Sequence, residues 1–329
     1  MFAVTFPRPG DPSVLEWTTA SLESPGAGDV VINVAAAGVN NADLQQRQGR
    51  YPAPTGASPL LGLEISGIID WVGADVGGWR VGDRVCALLA GGGYAQRAVV
   101  SAAMLFPVPQ GVGLIDAAAL PEAVCTVYSN LAMTAHLTAG QTLLVHGGGS
   151  GIGTMAIQWA KAAGATVIVT AGSRSKLDRC LELGADVAID YRNDDFVAVT
   201  REATDGRGAD VILDIVGADY LRRNLEALAA DGHLVVIGST GASEPPRLDL
   251  GVLMSKRASI SATTLRARPH DQKAAIVAEV TRNVWPLIDS GRIRPVVDTV
   301  FDMRHAADAH ELLAAGGAFG KVLLTPLGD

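Results

Sequence analysis

Cysteine is scarce in this 329-residue chain: Cys86, Cys125 and Cys180 are the only three, far apart and without a CxxC pair. An odd, sparse set excludes a disulfide framework and favours a reducing compartment. Positive charge is also short, with 26 lysines and arginines against 34 acidic residues and a net charge of −8. That balance excludes a general pull toward nucleic acid or an anionic membrane, while leaving room for a local basic pocket around a phosphate. No apolar run approaches the roughly 20 residues of a membrane helix. The N-terminus, MFAVTFPRPGDPS, has no basic segment leading into a long apolar one, so no signal peptide is expected. Low-complexity tracts and internal repeats are missing, as is any G-x-S-x-G nucleophile motif. The six histidines lack ligand-like spacing, and His305 and His310 would point to different faces of a shared helix. With 48% hydrophobic and 18% charged residues, the composition fits a soluble, cytoplasmic protein with a sizeable core, in two domains or one large one.

What is present centres on the stretch TLLVHGGGSGIGTMAIQWAKAAG, which begins at Thr142. A buried strand over 142–146 runs into a turn made of Gly147, Gly148, Gly149, Ser150, Gly151, Ile152 and Gly153. A helix follows over 154–163, then a second apolar strand over 166–170. Strand, glycine turn and helix place a dinucleotide pyrophosphate on free N–H groups at a helix start. With 38 glycines in the chain, the glycine pattern alone is weak, and the βαβ setting carries the reading. Ser150 makes the glycine pattern poorer, yet the Gly151 and Gly153 N–H groups are expected to stay available.

The grammar changes along the chain. Residues 1–120 read as mostly β, with strands over 29–34 and 65–72, one helical turn over 42–48 and a loop over 49–59. Residues 121–265 alternate strands (142–146, 166–170, 187–189, 211–215, 234–237, 259–263) with helices such as 175–183 and 220–228, as in a doubly wound parallel sheet. The tail, 266–329, reads as a helix over 272–289, a strand over 296–301, a helix over 306–314 and a strand over 321–324, and is expected to pack on the first domain. The fold class is therefore α/β: a Rossmann domain over 121–265 beside a mostly β, partly barrel-shaped domain built from 1–120 and 266–329.

The end of the second strand selects the cofactor. A site for NAD usually holds an acid about 20 residues beyond the glycines, bonded to the ribose 2′-hydroxyl. Here Thr170-Ala171-Gly172-Ser173-Arg174-Ser175-Lys176 contains no acid before Asp178. A small gap at Gly172, a hydroxyl at Ser173 and a cation at Lys176 suit a 2′-phosphate, so NADPH is expected. The plainer alternative makes Arg174 and Lys176 solvated charges at a helix start.

Gly62, Glu64, Gly67, Gly73 and Val76 resemble the signature of the medium-chain dehydrogenase/reductase superfamily, with Leu63 in place of its histidine. Asn40 and Glu122 stand where zinc-binding cysteines would be expected, and no four-cysteine cluster lies between Cys86 and Cys125. Leucine offers no lone pair to zinc, so no metal is expected. The segments NNADLQQRQGRYPAP, GGGYAQRAVV, AAALPEAVCTVY, VHGGGSGIGTMAIQ and VTAGSRSKLDRCLELGADVAIDY are similar to the zinc-free quinone oxidoreductase branch, which includes zeta-crystallin. The resemblance covers essentially the whole chain. It implies a GroES-like first domain and a 2′-phosphate held by Ser173, Lys176 and Tyr191. It also implies cofactor contacts at Thr126 and Gly238, and a homodimer formed through the strand at 259–263.

Without a metal to polarise an oxygen, an acceptor that is already electron-poor is needed. The branch implies reduction of a quinone, by hydride or electrons from the nicotinamide, in a cleft between the domains. An NADPH-dependent enone or enoyl reductase is the alternative, and a non-catalytic NADPH-binding protein of crystallin type is another. Tyr51, which corresponds to a substrate-cleft tyrosine of the branch, would bond the quinone oxygen or deliver a proton. It could instead simply pack on Pro52 and Pro54. Asn40 would touch the nicotinamide ribose or substrate, or merely stabilise a turn. Asp43 and Arg47 read as a structural pair. Cys125 reads as packing, although a redox-sensitive thiol near the cleft is the other possibility.

Overall fold

Strands rich in β-branched residues, punctuated by glycine and proline, build the first of two units, Met1–Cys125 together with the chain from Leu265 onward. The structure, a computed structural model, describes residues 1–238 and 247–326. A short antiparallel pair, β1 (Phe2–Thr5) and β2 (Glu16–Thr19), precedes the main sheet. That sheet is organised around β3 (Asp29–Val39), which pairs antiparallel with β4 (Glu64–Val72) on one edge. The strands β5 (Arg84–Leu88), β6 (Arg97–Ser101) and β7 (Leu105–Pro107) complete its N-terminal part. β3 runs five residues past the expected 29–34. Its second half, Ala35-Ala36-Ala37-Gly38-Val39, has little strand propensity of its own, and tertiary pairing overrides that weakness. The helix α1 (Asn41–Arg47) follows β3 directly, and α2 (Pro121–Tyr128) leads toward the second unit.

The second unit, Thr126–Thr264, is a parallel sheet with helical crossovers. In chain order it contains β8 (Thr142–His146), α3 (Gly151–Ala162), β9 (Thr166–Ala171), α4 (Arg174–Glu182) and β10 (Val187–Asp190). Then come α5 (Phe196–Glu202), β11 (Ala209–Asp214), α6 (Leu221–Ala227), β12 (Leu228–Val236), α7 (Leu250–Lys256) and β13 (Ser259–Ala262). The spatial order is β10-β9-β8-β11-β12-β13, and every pair is parallel. The direction of winding reverses between β8 and β11, where such sheets bind their ligands. The apolar runs are buried on both faces, with Leu144, Ile168, Ile212 and Leu234 fully enclosed. β12 begins six residues before the expected 234, because its first residue already pairs with Ala209 ahead of a register shift.

The tail returns to the first unit through α8 (His270–Asn283), α9 (Trp285–Asp289), β14 (Val297–Asp302), α10 (Ala306–Ala314) and β15 (Lys321–Thr325). The single helix expected over 272–289 breaks at Val284, just ahead of Pro286, which lacks the N–H that a continuous helix needs. β15 pairs antiparallel with the far half of β3 and parallel with β14. Trp285 stacks on Phe106 with centroids 4.3 Å apart and donates its indole N–H to Pro107 O at 2.9 Å, so the aromatic is buried with its polar end satisfied.

Candidate active site

In the second unit the turn after β8 is shaped by its glycines. Gly147 holds φ +73°, and a Cβ on Gly153 would lie 2.3 Å from Gly147 O, so only glycine fits at 153. Ser150 caps α3, and its hydroxyl accepts the Gly153 N–H at 3.0 Å. This corrects one expectation: the Gly153 N–H is taken by the cap. Those that remain at the helix start for an anion are Gly151 and Ile152.

The end of β9 gathers a second group. A Cβ at Gly172 would lie 2.6 Å from the Tyr191 hydroxyl, so Tyr191 packs directly over that glycine. Ser173 beside it is exposed and caps α4, accepting the Lys176 backbone N–H at 3.4 Å. Arg174 is held by Asp178 one turn along α4, at 2.9 Å, which leaves it the less suitable cation of the pair. Across the winding reversal, Gly147 and Gly238 both approach Ile215: Cβ atoms there would lie 2.5 Å from its Cδ1 and 2.8 Å from its carbonyl oxygen. Thr126 stands apart on α2, buried. Its carbonyl accepts from the Asn130 amide at 2.8 Å, and Asn130 Oδ1 accepts from Thr263, just past β13, at 2.6 Å.

Beneath the glycine turn lies a polar chain that the spacing of the histidines did not suggest. His146, fully buried, bonds Thr170 Oγ1 through Nδ1 (3.2 Å) and Asn224 Oδ1 through Nε2 (2.7 Å). Asn224 Nδ2 donates to Asp214 (3.0 Å), so its Oδ1 must accept and His146 Nε2 must carry the proton. Nδ1 then accepts from the Thr170 hydroxyl, whose oxygen takes the Gly147 N–H at 3.2 Å. The Asp214 carboxylate also accepts the Val216 and Gly217 N–H groups. One neutral imidazole thus ties the cofactor turn to the loop after β11. Burial lowers the pKa of His146 from 6.5 to about 4. Because the folded value is depressed, the unfolded chain binds a proton that the fold refuses. Stability is full above pH 6.5 and falls as the pH drops toward 4, by about 3 kcal/mol in all. His146→Gln is expected to flatten that slope in urea midpoints measured between pH 7 and pH 4.5.

In the first unit the signature residues surround a buried ion pair. Lys321, at the start of β15, places Nζ 2.5 Å from Glu64 Oε1 and 2.7 Å from Asn40 Oδ1. Asn40 Nδ2 donates to the same Glu64 oxygen at 3.0 Å, and Glu64 Oε2 accepts the Glu122 N–H at 2.9 Å. Glu64 is completely buried and the Lys321 side chain is 6% exposed. Leu63, at the signature's histidine position, is packed in the core. The side chains found here do not fit a zinc ion, since leucine has no lone pair and the Asn40 amide is already committed to an acid and a cation.

Asp43 joins the two segments that carry Asn40 and Glu64. Its carboxylate accepts the Asn40 N–H (2.8 Å) and the Gly62 N–H (2.9 Å), and the Tyr94 hydroxyl lies 3.3 Å away. His310 Nε2 is 3.3 Å from that hydroxyl, and Arg47 Nη1 is 3.3 Å from His310 Nδ1. Asp43 and Arg47 are therefore not the direct pair expected. Among the described residues no ion pair joins them, and the link runs through Tyr94 and His310.

Tyr51 sits in the loop after α1, half-buried, with the Arg266 guanidinium 5.5 Å from its ring centroid. Arg266 donates to Ala90 O (2.7 Å) and Gln46 Oε1 (2.6 Å), and Gln46 donates to Pro59 O, so a buried cation braces the Tyr51 loop from within. Sequence reasoning missed Lys321, Arg266, His146 and His310. A signal existed for Lys321 alone: a cation heading a wholly apolar strand needs a buried acid. The three cysteines are buried and free, and burial pushes the Cys125 thiol well up, which suits packing.

A doubly wound sheet with a glycine turn at its winding reversal, followed in the chain by strands that return to a mostly β unit, defines a two-domain nicotinamide-dependent oxidoreductase. The family descriptions agree: residues 26–110 match the alcohol dehydrogenase GroES-like domain, and residues 151–282 match the zinc-binding dehydrogenase family. A quinone oxidoreductase of Pseudomonas aeruginosa is 33% identical over 326 residues, covering 98% of this chain and 99% of its own. A 2-haloacrylate reductase from a Burkholderia species is 30% identical over 334 residues, covering 99% of both. The Escherichia coli quinone oxidoreductase solved with NADPH superposes with a TM-score of 0.89 at 31% identity, covering 99% of this chain and 100% of that one. The chain belongs to the medium-chain dehydrogenase/reductase superfamily, in its quinone oxidoreductase branch.

Proposed function

We propose that this protein is an NADPH-dependent quinone reductase that works without a metal. The observation that carries the reading is the Lys321–Glu64–Asn40 cluster. A fixed cation and its acid occupy the signature region, and no imidazole or thiolate stands there to bind zinc. The cofactor is NADPH, which the absence of an acid beside Gly172 and Ser173 favours over NADH. When bound, NADPH supplies a hydride equivalent. The chain's own residues then have to orient the acceptor and exclude water. Tyr51 is the candidate to hydrogen-bond an acceptor oxygen, and Asn40 to position the reacting end. Thr126, Ser150, Gly151, Ile152, Gly153, Gly172, Ser173, Lys176, Tyr191 and Gly238 are the candidates to hold the cofactor. The haloacrylate reductase among the relatives favours a second reading, reduction of an activated alkene.

Following NADPH absorbance with metal-stripped protein separates these readings. The panel pairs 1,4-benzoquinone and 9,10-phenanthrenequinone with a 2-enal and a 2-enoyl thioester. Chelator-insensitive turnover with quinones is expected. Turnover confined to the alkenes would replace the quinone reading, and tight NADPH binding without any turnover would point to a binding protein. Tyr51→Phe is expected to keep NADPH affinity and lose about tenfold in turnover, the scale of one hydrogen bond. Undiminished turnover would remove the hydroxyl from the mechanism.

A homodimer formed through β13 belongs to the same proposal. That strand is an edge of the sheet among the described residues, and neighbouring α7 exposes Leu250 and Met254, at 60% and 76%. A monomeric mass by light scattering would count against it. No helix of the described residues is long and apolar enough to cross a membrane.

A further inference from the structure

The orientation of the Asn40 amide is determined by its neighbours. An ammonium can only donate a hydrogen bond, and an ionised carboxylate can only accept one. Lys321 Nζ lies 2.7 Å from one amide atom of Asn40, and Glu64 Oε1 lies 3.0 Å from the other. The atom facing Lys321 is therefore the oxygen and the atom facing Glu64 is the nitrogen. A flipped amide would set an N–H against an ammonium and a carbonyl against a carboxylate. The two nitrogen hydrogens are both engaged, one on Glu64 and the other on Gly38 O at 3.4 Å. The oxygen has two lone pairs, and Lys321 uses one. The amide's open valence is an acceptor, and Asn40 is half-buried, between the enclosed ion pair and the surface of its unit.

We propose that Lys321 and Glu64 are positioning residues that lock Asn40 as a hydrogen-bond acceptor, so that position 40 recognises a ligand hydroxyl rather than a carbonyl. This inference rests on the reading that Asn40 faces the reacting end of the cofactor. It excludes Asn40 from polarising a quinone or enone oxygen, which needs a donor. It leaves two hydroxyl sources of the same chemistry: the ribose next to the nicotinamide, and the hydroquinone product.

Two binding ratios separate the sources, and neither requires turnover. The first is the dissociation constant of NADPH against that of 2′,5′-ADP, which lacks the nicotinamide ribose, by fluorescence quenching and competition. The second is the affinity of the NADP⁺-loaded protein for 1,4-hydroquinone against 1,4-benzoquinone. Asn40→Leu is expected to worsen one of these ratios about tenfold, the scale of one lost hydrogen bond. Lys321→Met is expected to worsen the same ratio by freeing the amide to flip, and Lys321→Arg, which keeps a donor and its charge, to restore it to within about threefold. A shift in the first ratio assigns the ribose, and a shift in the second the hydroquinone. If both ratios stay unchanged in folded Asn40→Leu, or if both members of each pair weaken together, the proposal is overturned. Should Lys321→Met fail to fold, Glu64→Gln tests the lock, because its amide can present an N–H to Lys321 and disturb the same geometry. An unchanged ratio in folded Glu64→Gln would overturn the lock. Because these measurements use no acceptor turnover, an enzyme that reduces alkenes rather than quinones would overturn the substrate reading and leave this test intact.

Discussion

Ser173→Asp is expected to raise the NADPH dissociation constant by about 100-fold while leaving that of NADH within about threefold. Ser173 is exposed at the end of β9, directly after the glycine that Tyr191 covers, and its hydroxyl caps α4. Aspartate is as good a cap as serine, so the helix start and the fold survive the change. What changes is the charge facing a 2′-phosphate. A charge-assisted bond contributes about 1.5–3 kcal/mol, and its loss is compounded by repulsion between carboxylate and phosphate. The same carboxylate can accept a bond from the 2′-hydroxyl of NADH, as acids at this position do. Lys176→Met is expected to weaken NADPH by about tenfold in the same direction. Nucleotide titrations by fluorescence check both. Equal weakening of NADPH and NADH in either variant would mean that no phosphate contact is made there.

Asp43→Ala carries the largest expected loss of stability, roughly 2–6 kcal/mol, because it strands two buried N–H groups at about 1–3 kcal/mol each. The two belong to Asn40 and Gly62, so the loss falls on the segments that present the candidate site. Urea unfolding is the measurement, with a midpoint drop of roughly 1 M or more at ordinary slopes. An unchanged midpoint would show that water or a neighbour replaces the carboxylate. The pH dependence adds a second check. Burial raises Asp43 from 3.8 to about 6, so the folded state binds its proton more readily, and wild type loses this share of stability as the pH rises from about 4 to 6. His310, in the same chain of contacts, slopes the other way. Burial and Arg47 lower it from 6.5 to about 3, so its share is full above pH 6.5 and is lost on acidification. The two trends oppose each other in wild type. Removing Asp43 is expected to uncover the His310 slope, with stability falling as the pH drops below 6.5.

The legibility of this chain in its sequence varied with the range of the interactions involved. The β8 boundaries, the α10 boundaries and the doubly wound sheet were readable, because each rests on local periodicity and turn residues within some ten positions. The length of β3 was not readable: Ala35-Ala36-Ala37-Gly38 becomes strand only because β4 and β15 flank it, and β15 lies nearly 300 residues away in the chain. Asp43 and Arg47 looked like partners because they sit one helical turn apart. The fold instead spaces them through Tyr94 and His310, contributed by a distant loop and by α10.

The sequence alone determined the class of the protein: a glycine turn between strand and helix, no acid beside Ser173, and Leu63 where the family signature has histidine. These are properties of single positions, since a missing ligand or a missing carboxylate cannot be supplied by folding. The tertiary structure decided what stands in the place of the missing groups. Lys321 reaches Glu64 and Asn40 only because β15 pairs with β3 in a register that sets Val322 opposite Val39. His146 becomes a neutral tie only because Asn224 and Asp214 close around it. Contacts of that kind depend on the relative placement of strands and helices far apart in the chain. Hydrophobic pattern specifies that placement collectively, and no single residue announces it.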